Sequence, residues 1–288
     1  MTARQKNRRS AKYSARKRVF STLIIILALV AAGIFVWRFN LDSVKVNHLN
    51  LSDARIKDEI TLIQITDLHG KSFGQDNNRL VEKIRSQSAD AILVTGDLYF
   101  GYDSEGKDVA VILMQTLAED QTPVYYVTGE HDNDDEFHDL LSSFGVQVLA
   151  FDQEILQIGT TDIELYGINS VYFWESYNLA NEVSADPDNF SILMAHIPNL
   201  PKYKDAGYDL ILSGDTHGGQ VRLPFLGAVW MDGVWFPEMG GSEVYVKGLY
   251  SKEGKHLFIS SGLGTVSPHI RFWNRPEIVV ITLSPPQP

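Results

Sequence analysis

Five short motifs of acidic residues and histidine punctuate the chain: Asp67-Leu68-His69, Gly96-Asp97, Gly129-Glu130-His131-Asp132, Ala195-His196 and Gly214-Asp215-Thr216-His217. Carboxylates are hard oxygen donors and imidazoles add affinity for transition metals, so these residue types together suit divalent cations. Two cations held side by side can activate water and polarise a phosphoryl oxygen, which is the chemistry of phosphorus-ester hydrolysis. Each motif alone is weak. Gly-Asp and Ala-His pairs are common, and a single histidine is more often exposed or packed than ligating. The argument lies in order and placement. Four of the five stand at or just past the end of an apolar, β-branched run, which gathers them on one edge of a sheet.

The elements that must position them follow from periodicity. β-rich runs at 60–66, 91–95 and 123–128 alternate with helical spacing at 78–86, 107–119 and 136–144. Strand-helix alternation implies a mostly parallel sheet with ligands at the carboxyl ends of its strands. Asp132, Asp134, Asp135 and Glu136 fall near the start of the third helix, where the helix dipole favours acids. From Val146 the chain is strand-rich, with candidates at 146–150, 154–158, 162–167, 190–195, 208–213, 243–249, 256–261 and 277–283, and a surface loop at 180–189. A second sheet packed on the first, with helices outside, gives an α/β fold: a four-layer α/β/β/α sandwich of two mixed sheets.

Charge is divided unevenly along the 288 residues. Residues 1–40 hold nine Lys/Arg and no acid, leaving 16 basic against 36 acidic residues over 41–288, a balance of −20. A domain that acidic repels polyanions, so no duplex nucleic-acid partner is expected. The absence of cysteine excludes disulfides, thiolate metal sites and a cysteine nucleophile. Val19 to Trp37 carries no charge and is about long enough to cross a bilayer. Eight Lys/Arg precede it, and Trp37, Arg38 and Phe39 close it with interfacial residues. The positive-inside rule then places the N-terminus in the cytoplasm and the rest outside. The implied division is a basic segment over 1–18, a transmembrane anchor over 19–39, a linker over 40–57 and a catalytic domain over 58–288. The alternatives are a signal peptide cleaved near Ala31-Ala32-Gly33 with a secreted product, a twin-arginine signal at Arg8-Arg9, and a buried core helix.

Taken together, the motifs resemble the calcineurin-like metallophosphoesterase superfamily. Thr66-Asp67-Leu68-His69-Gly70, Gly214-Asp215-Thr216-His217-Gly218-Gly219-Gln220, and Gly262-Leu263-Gly264-Thr265 with Pro276-Glu277-Ile278 resemble its membrane-associated or exported bacterial phosphodiesterase branch. The resemblance spans roughly residues 58–284. It implies one metal on Asp67, His69 and His217, with Asp97 bridging to a second that also takes His196, Glu130 and Asp215. It implies attack on phosphorus by a metal-bridging hydroxide, with His131 assisting the leaving oxygen and Asp132 orienting it. The implied cofactors are two divalent ions, manganese favoured, with Mg²⁺, Fe²⁺ or Zn²⁺ also open. The implied partner is a phosphoester substrate, lipid-linked or soluble.

Two positions depart from the family: Glu130 replaces the usual asparagine and Asp215 the usual first histidine of Gly-His-x-His. Four carboxylates would then neutralise two divalent cations. Harder ions than zinc, a less acidic bound water and a preference for monoanionic diesters follow. The same departures motivate the alternative of a weak or inactive scaffold of this fold. A nuclease is disfavoured by the −20 balance. Arg222 and Arg271 are further candidates, as phosphate contacts or surface salt bridges. Phe225, Leu226, Trp230, Trp235 and Phe236 are candidates for a lipid-gripping loop or for core, while His48, His138 and His256 lack motif context.

Overall fold

The computed structural model describes residues 3–169, 179–181, 183–231, 234–235 and 245–286. A long helix, α1 (Ala3–Asp42), precedes β1 (Lys45–Ser52) and β2 (Ile60–Ile65). Strand and helix then alternate: α2 (Asn78–Arg85), β3 (Ala91–Thr95), α3 (Ser104–Ala118), β4 (Val124–Val127), α4 (Asp135–Ser143) and β5 (Gln147–Val148). The second half is strand-rich, with β6 (Asp152–Ile158), β7 (Thr161–Ile168), β8 (Phe190–Ala195), the short α5 (Leu200–Tyr203) and β9 (Leu210–Ser213). A small meander of β10 (Val221–Leu223), β11 (Gly227–Met231) and β12 (Val234–Trp235) follows, then β13 (Gly248–Lys252), β14 (Lys255–Ile259) and β15 (Glu277–Ser284).

Two six-stranded mixed sheets form the middle layers, in the orders β1-β15-β2-β3-β4-β5 and β13-β14-β9-β8-β7-β6. β2 to β5 run parallel in the first, and β7, β8, β9 and β14 run parallel in the second. The alternation of a strand assigns each face its layer. In β2, Leu62 points into the core between the sheets, with Leu93, Ile192 and Leu212. Ile63 and Ile65 point the other way, onto Leu80 and Ile84 of α2, Leu113 of α3 and Phe137 of α4. The outer face of the second sheet buries Ile211 and Ile259 with Leu200 and Tyr203 of α5. Each such aliphatic side chain contributes about 1.5–3 kcal/mol when fully buried. The layering is the expected α/β/β/α sandwich.

Three boundaries differ from expectation. The segment read as a linker carries β1, an edge strand paired in parallel with β15 from Lys45↔Glu277 to Ser52↔Ser284. Its polar composition hid it, because an edge strand needs few inward apolar groups and here Leu49 is the buried one. α3 begins at Ser104 because Asp103 caps it, accepting from the Gly106 amide at 3.0 Å. Of the strand expected at 243–249, residues 243–244 lie outside the described residues, and the observed strand, β13, starts later, at Gly248.

Within α1, Arg16–Asp42 is long and apolar enough to cross a membrane, and none of its apolar window is buried. Val19, Phe20, Leu27 and Leu29 are all more than 60% exposed, so this is not a core helix of the sandwich.

α4 depends on Asp134. Its carboxylate accepts from the Glu136 and Phe137 amides, pairs with Lys107 at 2.7 Å and accepts from the Tyr99 hydroxyl at 2.9 Å. The Lys107 hydrogen bond outweighs burial and holds its pKa down to about 2. Asp134→Ala should lower stability at neutral pH by roughly 1–2 kcal/mol, the usual range for a lost cap. A depressed carboxyl stabilises above its unfolded pKa, so the deficit should shrink as pH falls from about 4 through about 2. Thermal unfolding of the full chain across that pH range checks both.

Candidate metal centre

Each motif leaves its strand at the same edge of the sandwich. Asp67 follows the end of β2, Asp97 the end of β3, His196 the end of β8 and Asp215 the end of β9. The backbone there turns through the left-handed region: φ is 51° at Asp67, 46° at His69, 55° at Asp97, 69° at Asp215 and 51° at His217. Non-glycine residues in this region cost roughly 1–3 kcal/mol each, and such strain collects at functional sites.

The side chains converge. His69 Nε2 and His217 Nε2 lie 3.1 Å apart. Two nitrogens each about 2.0–2.1 Å from one cation can sit this close. Asp67, His69 and His217 form one buried group of mutually close donor atoms, and Asp67, Asp97 and His196 form a second. Asp97 Oδ2 faces His196 Nε2 at 3.2 Å and His69 Nε2 at 3.8 Å, so it reaches toward both groups. Its other oxygen accepts from the His131 amide at 2.9 Å. Asp67 Oδ1 accepts from the Asp215 amide at 3.0 Å.

The donor set fits divalent cations. His196 Nδ1 lies 2.7 Å from the Thr95 carbonyl, which must accept its proton. That leaves Nε2 as the free lone pair, aimed at two carboxylates. Among the described residues, Asp67 Oδ2 and His196 Nε2 are buried without a hydrogen-bond partner. Buried acceptors left without a donor are costly unless a cation meets them.

Electrostatics agree. Burial pushes the Asp67 carboxyl up to about 7, opposed by His196 and reinforced by Asp97 and Asp215. Burial pushes His69 down to about 3 and lowers His217 as well, so both imidazoles are neutral and able to ligate at pH 7. Burial works against charge on His196 and on Asp97, yet their mutual attraction wins: His196 is raised and Asp97 lowered.

Glu130 and Asp215 join neither group. Both line the mouth of a cleft of about 150 Å³, together with His131, Thr216 and Gln220. Glu130 is exposed on its loop, and Asp215 is half-buried. His131 stands at the same mouth, its ring 4.8 Å from that of Phe100 and its Nε2 3.9 Å from Asp97.

Asp132 does not orient the His131 ring. Its oxygens accept from the Leu98 amide at 2.7 Å, the Gly129 amide at 2.7 Å and the Thr128 hydroxyl at 3.3 Å. Those amides consume the carboxylate and fix the 128–132 loop instead. That loop passes so close to Asp97 that a Cβ at Gly129 would overlap its carboxylate.

Arg271 is neither a phosphate contact nor a surface salt bridge. Its side chain is buried and donates to the carbonyls of Gly264, Ser261 and Asn274. The loop it braces carries Gly262, at φ 64°, where a Cβ would lie 2.5 Å from that of Asp67. Asn274 in turn donates to the His217 carbonyl at 2.6 Å. The motif around 262–278 is thus a brace behind Asp67 and His217. Arg222 donates to the Gly218 carbonyl at 2.8 Å and stays half-buried. Of the aromatic stretch, Phe225 is fully exposed and Leu226 partly so. Phe236 lies outside the described residues. His138 lies tilted against Tyr126, and His256 meets the Ser251 hydroxyl at 2.8 Å, both away from the cleft.

Two contributors were not singled out from sequence. Phe100 stacks on His69 at 4.4 Å and lies tilted against His131 at 4.8 Å. Its position directly after Gly96-Asp97-Leu98-Tyr99 was the available signal. Gln220 is buried against the cleft with both amide atoms unpartnered among the described residues.

This chain belongs to the calcineurin-like phosphoesterase family, which its residues 60–219 match. That family membership implies a metal-dependent phosphoester hydrolase. The chain is similar to Cj0846, an uncharacterized metallophosphoesterase of Campylobacter jejuni, at 27% identity over 91% of this chain and 70% of the relative. It is similar to the uncharacterized protein YpbG of Bacillus subtilis at 28% identity over 84% and 90% of the two chains. It is also similar to the uncharacterized metallophosphoesterase YkuE of Bacillus subtilis at 28% identity over 78% and 79%.

Replacing Arg271 by Met should leave its carbonyl partners buried without donors, at about 1–3 kcal/mol for each. A drop in the denaturation midpoint of the full chain, larger than that of Arg222→Met, is the expected reading.

Proposed function

We propose that the chain is a dinuclear phosphoesterase that prefers diester or pyrophosphate linkages and works at a membrane surface. The observation that carries this is the pair of buried donor groups sharing Asp67 in one cleft. Asp67, His69 and His217 would hold one cation. Asp97 and His196, beside Asp67, would hold the other, and Asp97 faces both groups. Bound divalent cations would lower the pKa of water and polarise the phosphoryl oxygens. Manganese suits a site this rich in carboxylate.

The chain's own residues supply the rest. His131, exposed at the mouth beside Phe100, donates a proton from its ring to the departing oxygen. Asp132 positions that residue through the loop it ties down. Gln220 offers both a donor and an acceptor to the bound ester. Glu130 and Asp215 add negative charge at the rim and would disfavour a dianionic monoester. The catalytic unit is residues 58–288 with β1 added at its edge. α1 anchors it, with the N-terminus cytoplasmic and the domain on the far side.

The exposure of Glu130, outside both donor groups, favours one competing reading: a scaffold whose second site is weak. Metal analysis and paired assays separate the two. The full chain should carry two divalent ions per molecule and hydrolyse a bis-aryl phosphate faster than an aryl phosphate when supplied with Mn²⁺. Chelation should abolish turnover and Mn²⁺ restore it. His131→Ala should lower kcat by about 10²–10⁴ with its metal content intact. Asp97→Ala should lose metal and turnover together. A zinc enzyme that prefers monoesters, or stoichiometric metal without turnover, would sink the proposal.

A further inference from the structure

The end of α1 does not merely lead into the domain; it is bolted to it. Asn40 and Leu41 are buried. Lys71 donates to the Leu41 carbonyl. Arg275 donates to the Ser43 carbonyl at 2.9 Å and to its hydroxyl at 2.7 Å, and its guanidinium lies 4.7 Å over the Phe39 ring. This junction fixes one wall of a cleft of about 410 Å³ between α1 and the start of α2.

The lining of that cleft is two-sided in chemistry. Phe35, Phe39 and Phe73 supply aromatic surface, and Arg38, Arg79 and Lys83 supply positive charge. Asp42 is the lining carboxylate, and it is already paired with Arg38 at 2.8 Å. Arg79 and Lys83 have no carboxylate partner among the described residues. Two uncompensated cations stand out on a domain whose balance is −20. Their depth is also defined. The uncharged run of α1 ends at Trp37, so Phe35 falls inside it and Arg38 just beyond it. That boundary is where hydrocarbon gives way to headgroups. A second feature on this end of the domain points the same way. Ile270 and Phe272 wall a groove against Ala32 and Val36 of α1, while Trp273 beside them is 60% exposed.

We propose that this cleft binds one anionic phospholipid of the leaflet that meets the domain. Its headgroup phosphate sits between Arg79, Lys83 and Arg38, and its glycerol and upper acyl chains lie on Phe35 and Phe39. The site is separate from the metal centre and shares none of its residues. It rests on the reading that α1 crosses the bilayer. A lipid held here would fix the height and tilt of the catalytic domain above the membrane.

The test uses the full chain in nanodiscs of phosphatidylcholine and phosphatidylglycerol in equal amounts, with retained lipid read by native mass spectrometry. The wild type should retain phosphatidylglycerol over phosphatidylcholine by roughly tenfold or more, since each basic residue near an anionic leaflet is worth about fivefold. The double variant Arg79→Gln, Lys83→Gln should lose that preference and keep wild-type turnover of a bis-aryl phosphate, which shows that it has folded. Equal retention of the two lipids, an unchanged preference in the double variant, or displacement of the lipid by inorganic phosphate would each overturn the site. A wild type that alkaline carbonate strips from the bilayer would overturn the anchor along with it. An integral chain without lipid preference would overturn the lipid site alone.

Discussion

Everything at the site follows from placing like charges together where water cannot screen them. Asp67 and Asp97 are both buried, and both face the Nε2 of His196, at 3.9 Å and 3.2 Å. At the low effective dielectric of such an interior, two carboxylates this close repel strongly. The fold answers with backbone amides: Asp215 donates to Asp67, and His131 donates to Asp97. Those two bonds satisfy one oxygen of each carboxylate and leave the other without an amide donor. The remaining negative potential has to be met by positive charge. The attraction between His196 and Asp97 answers part of it, raising the one and lowering the other. A pair of divalent cations would provide all of it, which is why this arrangement is read as a metal centre rather than a salt-bridge network.

Holding that arrangement takes rigidity from both sheets. The left-handed turns at the strand ends aim the donors into the cleft, and they persist only because what lies behind them is overdetermined. The bracing comes from two directions. In the first sheet, Gln64 of β2 donates to the Thr95 hydroxyl at 2.9 Å and across to the Ser213 carbonyl of β9 at 3.0 Å, tying the two motif-bearing edges together. From the other side, Arg271 and Asn274 hold the 261–264 loop and the His217 carbonyl in place. Asp132 does the same for the loop that carries His131. Gln64, Arg271, Asn274 and Asp132 therefore act by fixing backbone, one step removed from the chemistry.

That distinction marks where the sequence stops being legible. Strand ends and their motif residues could be read because both obey local rules: period-two burial, then a turn, then a polar donor. The layered architecture followed from the same alternation. Roles that depend on which backbone group a side chain meets once its loop has folded could not be read. Asp132 sits next to His131 in sequence, yet its partners Leu98 and Gly129 are amides in the loop core. Arg271 lies in an aromatic stretch that looks superficial, yet its guanidinium is enclosed by carbonyls. β1 escaped notice for a related reason: its pairing partner, β15, lies more than 200 residues away, and an edge strand shows little of the burial pattern that announces a central one.

The same long-range pairing decides how the catalytic cleft relates to α1. Gln220 lines the cleft, and its neighbour Val221 lines the groove against α1. Successive residues of an extended segment point to opposite faces, so one segment separates the two spaces. Its position is locked by Phe272, which donates its amide to the Gln220 carbonyl and accepts from the Arg222 amide. β1 continues from the α1 junction directly along β15, and β15 pairs with β2, whose end delivers Asp67. The chain thus runs from the end of α1 through β1 into the sheet that carries Asp67, while the 220–222 segment lies between the cleft and the groove beside the helix. The placement of the cleft relative to the end of α1 therefore follows from the β1–β15–β2 pairing.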